Sequence, residues 1–309
     1  MKKKIFIDGR AGTTGLRIEE RLSGREDIEL LTLPEEKRKD AATRREILNA
    51  ADVAFLCLPD DAAREAVQMV ENPNTVIIDT STAHRTNPEF AYGFAELSKD
   101  FENKIKNSKR IAVPGCHASG FIALTYPLIE SGIMNKTVGL SCHSLTGYSG
   151  GGKKMIEQYE SDERSLLLDA PRQYALSQEH KHLKEMKGIT GLENAPLFCP
   201  IVADFYSGML VTVPIFSKDI KGGIEDIREI YKNTYNTDIV KYNENMSEEG
   251  FMSAAALSGK DSMEIGVWGN SERMILVARY DNLGKGASGA AIENLNIVLG
   301  CEKTLGLDI

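Results

Sequence analysis

The sequence predicts an α/β chain in two parts: a doubly wound parallel-sheet dinucleotide-binding domain, then an α+β catalytic domain with a mostly antiparallel sheet. Three observations carry this. Over the first 115 residues short apolar runs alternate with polar helical stretches, a glycine-bearing turn joins the first run to the first helix, and after Pro114 strand-like runs follow one another. Residues 4–8 form the first strand, 9–15 the turn and 16–22 a helix with charges at helical spacing. A second strand covers 28–33 and a polar helix 37–49. Residues 51–58, apolar almost throughout, read as a strand buried on both faces, closed by Pro59 and followed by a helix through Val70. Residues 75–79 and 110–113 add two strands. Beyond Pro114 come a helix over 118–131, strands over 137–145, 208–216 and 273–280, helices over 153–168 and 224–235, and an apolar helix over 287–299 that returns to the first domain.

With 309 residues, 42% hydrophobic and 27% charged, the chain is ordinary globular material, long enough for two domains. Its 45 acidic and 37 basic residues leave a net charge of −8, which argues against nucleic acid as a partner. Lys2, Lys3 and Lys4 precede only three apolar residues before Asp8, too few for a secretory leader, and no uncharged apolar stretch reaches the roughly 18 residues of a membrane span. Five cysteines, from Cys57 to Cys301, include no C-x-x-C pair, so reduced thiols in the cytoplasm, away from any membrane, are expected.

Gly9, Gly12 and Gly15 at a strand-to-helix junction permit a tight turn whose N–H groups, at a helix start, attract a pyrophosphate; a plain tight connection uses the same glycines. No acidic residue closes the second strand directly, where an NAD-specific protein would hold the ribose hydroxyls. Lys37, Arg38 and Lys39 follow instead, suited to the 2′-phosphate of NADP or to a solvated helix start. Cys116, in Val113-Pro-Gly-Cys-His-Ala-Ser-Gly120, sits where a helix begins. The helix N-terminus would favour its thiolate, and the alternative is a buried small hydrophobe. Cys57 and Cys142 fall within apolar strands, and Cys199 and Cys301 lack a helix start, so these four read as structural. A nucleophilic thiol needs a proton partner. His180 and His182 lie in a polar stretch, and their spacing predicts rings pointing apart, with one facing the thiol. His117, beside the cysteine, is a rival base. No convergent ligand set points to a metal. The glycine-rich turn Gly147-Tyr-Ser149-Gly150-Gly-Gly-Lys-Lys154 suits an anion or a nicotinamide carboxamide, or else a hairpin tip. Asp79-Thr-Ser81-Thr-Ala-His84-Arg85 leaves a strand at the same sheet edge as the first turn, and Arg85 could fork onto a phosphate or carboxylate or form a surface ion pair.

In chain order, Gly9-x-x-Gly12-x-x-Gly15, Pro114-Gly115-Cys116-x-Ala118-Ser119-Gly120, Ser149-Gly-Gly-Gly-Lys153, His180-Lys-His182 and Asp281-Asn282-Leu-Gly284-Lys285-Gly286-Ala287 span essentially the whole chain. With these motifs the sequence resembles the short-type N-acetyl-gamma-glutamyl-phosphate reductase family, related to aspartate-semialdehyde dehydrogenases. At His117 it departs from the aromatic residue more frequent there. The resemblance implies NADP(H)-dependent reduction of a small-molecule acyl phosphate, N-acetylglutamyl 5-phosphate, to the 5-semialdehyde with release of phosphate, in arginine biosynthesis. It implies Cys116 as the nucleophile that forms a thioester, His180 as acid/base, and Arg85 and His182 as substrate contacts. Gly9, Gly12, Thr13, Thr14, Gly15, Lys37, Arg38, Pro59, Ser81, Ser149, Gly150 and Asn282 would border NADP. The expected division is 1–115 with 285–309 for NADP binding and 116–284 for catalysis and oligomerisation, as a homodimer or homotetramer. Aspartyl phosphate or an aminoadipyl analogue are the alternative substrates, to be separated by pocket residues around 191–207. A catalytically silent NADP sensor is the alternative class.

Overall fold

The computed structural model describes residues 2–38 and 40–309, apart from the side chain of Glu35. They divide into two units, each described by itself: Met1–Ala95, Lys99–Pro114 and Ala287–Leu307 form the first, and Glu96–Ser98, Gly115–Gly286 and Asp308–Ile309 the second.

The first unit runs β1 (Lys3–Asp8), α1 (Thr13–Leu22), β2 (Ile28–Leu31), α2 (Ala41–Ala50), β3 (Val53–Leu56), α3 (Asp60–Gln68), β4 (Val76–Asp79), β5 (Ala91–Tyr92), α4 (Lys99–Asn107) and β6 (Arg110–Ala112). Among the described residues the strands form one parallel sheet in the order β2-β1-β3-β4-β6-β5. The order reverses between β1 and β3, the place where such sheets leave a crevice at their carboxyl ends. Side chains alternate between two covered faces, which is why the strands are apolar almost throughout. Ile5, Ile7, Phe55 and Ile78 pack with Ile18 and Leu22 of α1 on one face, while Phe6, Leu56 and Ile77 pack with Leu48 of α2 and Ala63 of α3 on the other. The helix expected from residue 37 starts only at Ala41. Asp40 caps it, accepting the Thr43 N–H at 2.8 Å, after a 3₁₀ turn over Glu35–Lys37.

The second unit runs α5 (Cys116–Glu130), β7 (Ser141–Gly147), α6 (Gly152–Glu160), β8 (Arg172–Gln173), α7 (His182–Thr190), β9 (Leu197–Ala203), β10 (Met209–Phe216), α8 (Ile224–Thr234), β11 (Val240–Tyr242), β12 (Met263–Gly269) and β13 (Arg273–Tyr280). The sheet order is β11-β12-β13-β10-β7-β9-β8. Pairing is antiparallel except for β11 with β12 and β7 with β9, so the sheet is mixed and mostly antiparallel. The sequence reading has no counterpart of β8, β9, β11, β12 or α7. Pro200 interrupts the apolar run of β9, and Gly266 interrupts β12, where the Trp268 ring lies so close that a Cβ at 266 would stand 2.3 Å from it. The helix expected over 153–168 ends at Glu160, and Arg164 beyond it holds Asp169 and Asp204 at 2.6 and 2.7 Å.

Helix α5 is buried along nearly its whole length and contains Pro127, which has no N–H to offer the Ala123 carbonyl. Two tyrosines of the α8 region repair the ladder: Tyr235 donates its hydroxyl to Ala123 O at 2.7 Å and Tyr231 donates to Leu124 O at 2.5 Å. A π turn over Gly284–Ser288 leads into α9 (Gly289–Leu299), whose Ile292 and Leu295 join the α1 face of the first unit's core. Glu96 is tied to the second unit by an ion pair with Lys285 at 2.8 Å, both side chains 2% exposed. No described helix is long and apolar enough to cross a membrane.

Replacing Tyr235 by Phe keeps the ring and leaves the Ala123 carbonyl buried without a donor, a cost of about 1–3 kcal/mol. Thermal and urea unfolding should show the corresponding loss of stability; an unchanged midpoint would mean that the carbonyl has found another donor.

Candidate active site

In the first unit, Gly9 follows β1 at φ +86°, where a Cβ would stand 2.2 Å from the Cys57 carbonyl oxygen; one at Gly15 would stand 2.6 Å from Gly9 O. Gly12 is the N-cap of α1 with no side-chain cap, so the N–H groups of Thr13, Thr14 and Gly15 open the helix without a capping side chain. Beside this turn a cleft of ≈ 410 Å³ is lined by Arg10, Leu30, Thr32, Leu33 and Arg38, among others. Lys37 and Arg38 are exposed, and Lys39 lies outside the described residues. Pro59 is the N-cap residue of α3. At the end of β4 the buried Asp79 accepts the Ser81 N–H at 2.9 Å and the Ser81 hydroxyl at 2.8 Å, and meets His84 Nδ1 at 2.7 Å. Arg85 is buried, not a surface residue: Nε donates to Val113 O at 2.9 Å and Nη2 to Thr80 O at 3.0 Å, tying the exits of β4 and β6.

In the second unit, Cys116 is the first residue of α5. Its N-cap, Gly115, has no side chain, so the first-turn dipoles act on the thiol and favour its ionised form. Three contacts fix this turn. Glu185 Oε1 accepts the Gly115 N–H at 2.8 Å. Tyr280, fully buried at the end of β13, inserts its hydroxyl: Gly120 N–H donates to it at 3.0 Å, and it donates to the Cys116 carbonyl. A Cβ at Gly120 would lie 2.7 Å from that hydroxyl, so the glycine is what admits the phenol. Gly286 passes against the cysteine, where a Cβ would be 3.1 Å from Cys116 Cβ. Burial first, and the Cys116 charge second, hold the Tyr280 hydroxyl well above its ordinary pKa, so it remains a donor. The Cys57 thiol, by contrast, is pushed up to about 12 by burial, and burial raises Cys142 too, which keeps both protonated at neutral pH.

The rings of His180 and His182 do not point apart. His180 lies in the turn entering α7 and His182 opens the helix, so neither strand nor helix geometry governs the pair, and the ring centres are 4.7 Å apart. They stand 6.1 and 5.6 Å from the ring of His117. His180 Nδ1 accepts the His182 backbone N–H at 3.2 Å, which places the proton of the neutral His180 ring on Nε2. His117 is not the rival base. Its Nδ1 lies 2.6 Å from Ser144 Oγ and its Nε2 2.7 Å from the Tyr174 hydroxyl, and burial, with His180 adding repulsion, lowers its pKa to about 3.

The fully buried Asp281 accepts the Ser207 hydroxyl at 2.8 Å and the N–H groups of Leu283 at 2.7 Å, Gly284 at 3.3 Å and Gly259, which folds the turn after β13. Asn282 is thereby fixed: Oδ1 accepts the Gly208 N–H and Nδ2 donates to Ser149 Oγ, each at 2.9 Å, with Gly150 alongside. Ser149 and Asn282, far apart in sequence, are thus brought together. Among the described residues no group of three or more His, Cys, Asp or Glu is arranged to hold a metal ion. Sequence reasoning quoted Asp281 within a motif without giving it a role, and missed Glu185, Tyr174 and Tyr280; of these three only Glu185, three residues after His182 and so on the same helical face, carries a local signal.

Two family models match the chain, the semialdehyde dehydrogenase NAD-binding domain over residues 10–107 and the semialdehyde dehydrogenase dimerisation domain over 116–282. An N-acetyl-gamma-glutamyl-phosphate reductase of Sinorhizobium medicae is 46% identical, with 97% of this chain and 99% of that protein covered. An N-acetyl-gamma-glutamyl-phosphate reductase 2 of Nostoc sp. is 44% identical, with 99% of each covered. Among solved structures, aspartate semialdehyde dehydrogenase II of Vibrio cholerae aligns with a TM-score of 0.72 at 15% identity, covering 97% of this chain and 99% of that one. Aspartate semialdehyde dehydrogenase with NADP from Candida albicans aligns with a TM-score of 0.65 at 17% identity, covering 99% and 100%. At these identities the structures establish likeness of fold.

His117 has a folded pKa of about 3 against 6.5 for the free side chain, so between these values the unfolded chain binds more protons. Its contribution is intact above pH 6.5 and is lost progressively as the pH falls toward 3. The unfolding midpoint should therefore drop less steeply between pH 7 and pH 4 in His117→Phe than in the wild type; parallel curves would mean that His117 is already protonated in the folded chain.

Proposed function

The chain belongs to the semialdehyde dehydrogenase family, and on that premise we propose that it is an NADPH-dependent N-acetyl-gamma-glutamyl-phosphate reductase of arginine biosynthesis. The observation that carries this reading is Cys116 at the uncapped start of α5, with His180 and His182 gathered around the adjacent residue. The first unit suits the cofactor. A Cβ at Gly9 or Gly15 would strike the backbone of Cys57 or Gly9, so the glycines allow the tight turn a pyrophosphate needs, α1 opens from that turn with uncapped N–H groups, and Arg10 and Arg38 line the cleft suited to an adenosine with a 2′-phosphate. Pro59 and Ser81 are assigned to the same cofactor, and Ser149, Gly150 and Asn282 to its nicotinamide. When bound, NADPH supplies a hydride to the acyl carbon.

In this mechanism Cys116 Sγ attacks the acyl carbon of N-acetylglutamyl 5-phosphate. The carbonyl electron pair moves to oxygen and returns as the bond to phosphate breaks, leaving a thioester on Cys116 and free phosphate. Arg85 and His182 hold the substrate, Arg85 with its direction set by the Val113 and Thr80 carbonyls. After reduction of the thioester carbon, the His180 Nε2–H hydrogen-bonds the oxygen of the tetrahedral adduct, whose electron pair then re-forms the carbonyl as the C–S bond breaks, releasing the semialdehyde and the Cys116 thiolate. Glu185 and Tyr280 touch no substrate; they hold the turn from which the thiolate acts.

The match to a dimerisation domain supports an oligomer. We read the uncovered face of the second sheet, with Leu145, Leu197, Leu210, Phe216 and Ile275, as the contact of a homodimer, alone or within a homotetramer. All five cysteines are free thiols, in keeping with the cytoplasm.

Assayed with NADP+, phosphate and N-acetylglutamate 5-semialdehyde, the Cys116→Ala variant should lose turnover by roughly 10⁴-fold or more. Near-normal turnover would sink the mechanism. For Arg38→Ala, loss of one charge-assisted hydrogen bond to the 2′-phosphate should raise the KM for NADPH about tenfold and leave that for NADH unchanged; equal effects on the two nucleotides would place the 2′-phosphate elsewhere.

A further inference from the structure

We propose that Tyr174 is a catalytic hydrogen-bond donor to the acyl oxygen at Cys116, its hydroxyl proton turned outward by an ordered chain that runs from Ser144 through His117. The proposal rests on the reading of Cys116 as the nucleophile. Ser144 is fully buried in β7, and among the described residues its hydroxyl has one partner, His117 Nδ1 at 2.6 Å. A buried hydroxyl must donate, so Ser144 donates to Nδ1. His117 is uncharged, because burial lowers its pKa to about 3, and its single proton then sits on Nε2. Nε2–H donates to the Tyr174 oxygen at 2.7 Å. The phenol cannot donate back along that bond, and no other described residue takes its proton, which is therefore directed away from His117.

The surroundings of Tyr174 match this role. Its ring lies 6.1 Å from His117, the residue following Cys116, and 6.1 Å from His180. Burial, and then the charge of Cys116, raise its pKa, so it stays protonated. When Cys116 Sγ bonds to the acyl carbon and the carbonyl pair moves onto oxygen, the Tyr174 O–H stabilises that oxygen without transferring its proton. The pair returns as the bond to phosphate breaks. No redox partner is required for this half of the cycle.

The test joins kinetics to spectroscopy. Tyr174→Phe should lower kcat on the order of 10²-fold, with KM for the acyl phosphate changed by less than about threefold. Alkylation of Cys116 by iodoacetamide should keep about the wild-type rate, since the nucleophile's own turn is untouched. His117→Phe, which releases the phenol, should show a similar loss, and the double variant no further one. In ¹⁵N NMR of protein labelled in its imidazoles, His117 should be the neutral Nε2–H tautomer from pH 5 to 9, a readout on the wild-type chain that holds even if a variant fails to fold. A kcat within about threefold of wild type in Tyr174→Phe, additive losses in the double variant, or an Nδ1–H tautomer at His117 would overturn the proposal and leave the nucleophile reading standing. Retained activity in Cys116→Ala would overturn both.

Discussion

The first turn of α5 begins with the residue that the proposed mechanism needs both reactive and held still, and three elements of the second unit converge to hold it. A helix start leaves backbone N–H groups unpaired, which favours a thiolate but loosens the chain. Here Glu185 of α7 takes the N–H just before the cysteine, Tyr280 of β13 bridges the carbonyl of Cys116 and the N–H of Gly120, and Gly286 closes against the cysteine's Cβ. Each is a buried polar or close backbone contact, where a partner lost leaves an unsatisfied group costing about 1–3 kcal/mol. The turn therefore behaves as one unit. The same economy extends down α5, where tyrosines complete a ladder that Pro127 breaks.

Around that turn the polar groups sort by charge state. His117, with both nitrogens occupied and burial against it, is kept neutral, while Tyr174 and Tyr280 are kept protonated. His180 and His182 stand beside His117, with Nε2 carrying the proton of a neutral His180 ring. A net charge of −8 does not draw an anionic substrate by the field of the whole chain. On the proposed function, local donors do so: the uncapped start of α1 and the guanidiniums of Arg10 and Arg38 for the cofactor, and Arg85 for the substrate.

Much of this was legible in the sequence. The parallel sheet announced itself because both its faces are covered, so its strands are continuous apolar runs, and the glycines at 9 and 15 stand where a Cβ would strike backbone. Cys116 was visible as a cysteine after Pro-Gly at a helix start. The second sheet was harder, because Pro200 and Gly266 break the patterns of β9 and β12 and the covering ring of Trp268 has no sequence signature. His180 and His182 misled, since period arguments require regular backbone and the chain turns between them. Ser144, Tyr174 and Tyr280 act through partners 27 to 164 residues away, a kind of contact that no local pattern reveals.

The central claim is that Cys116 carries the acyl group. The most direct measurement mixes the protein with N-acetylglutamyl 5-phosphate in the absence of NADPH and follows phosphate release and the mass of the peptide containing Cys116. A stoichiometric burst of phosphate, with the N-acetylglutamyl group in thioester linkage on Cys116, is the predicted result. Phosphate release that waits for NADPH, with no acylated peptide, would contradict it.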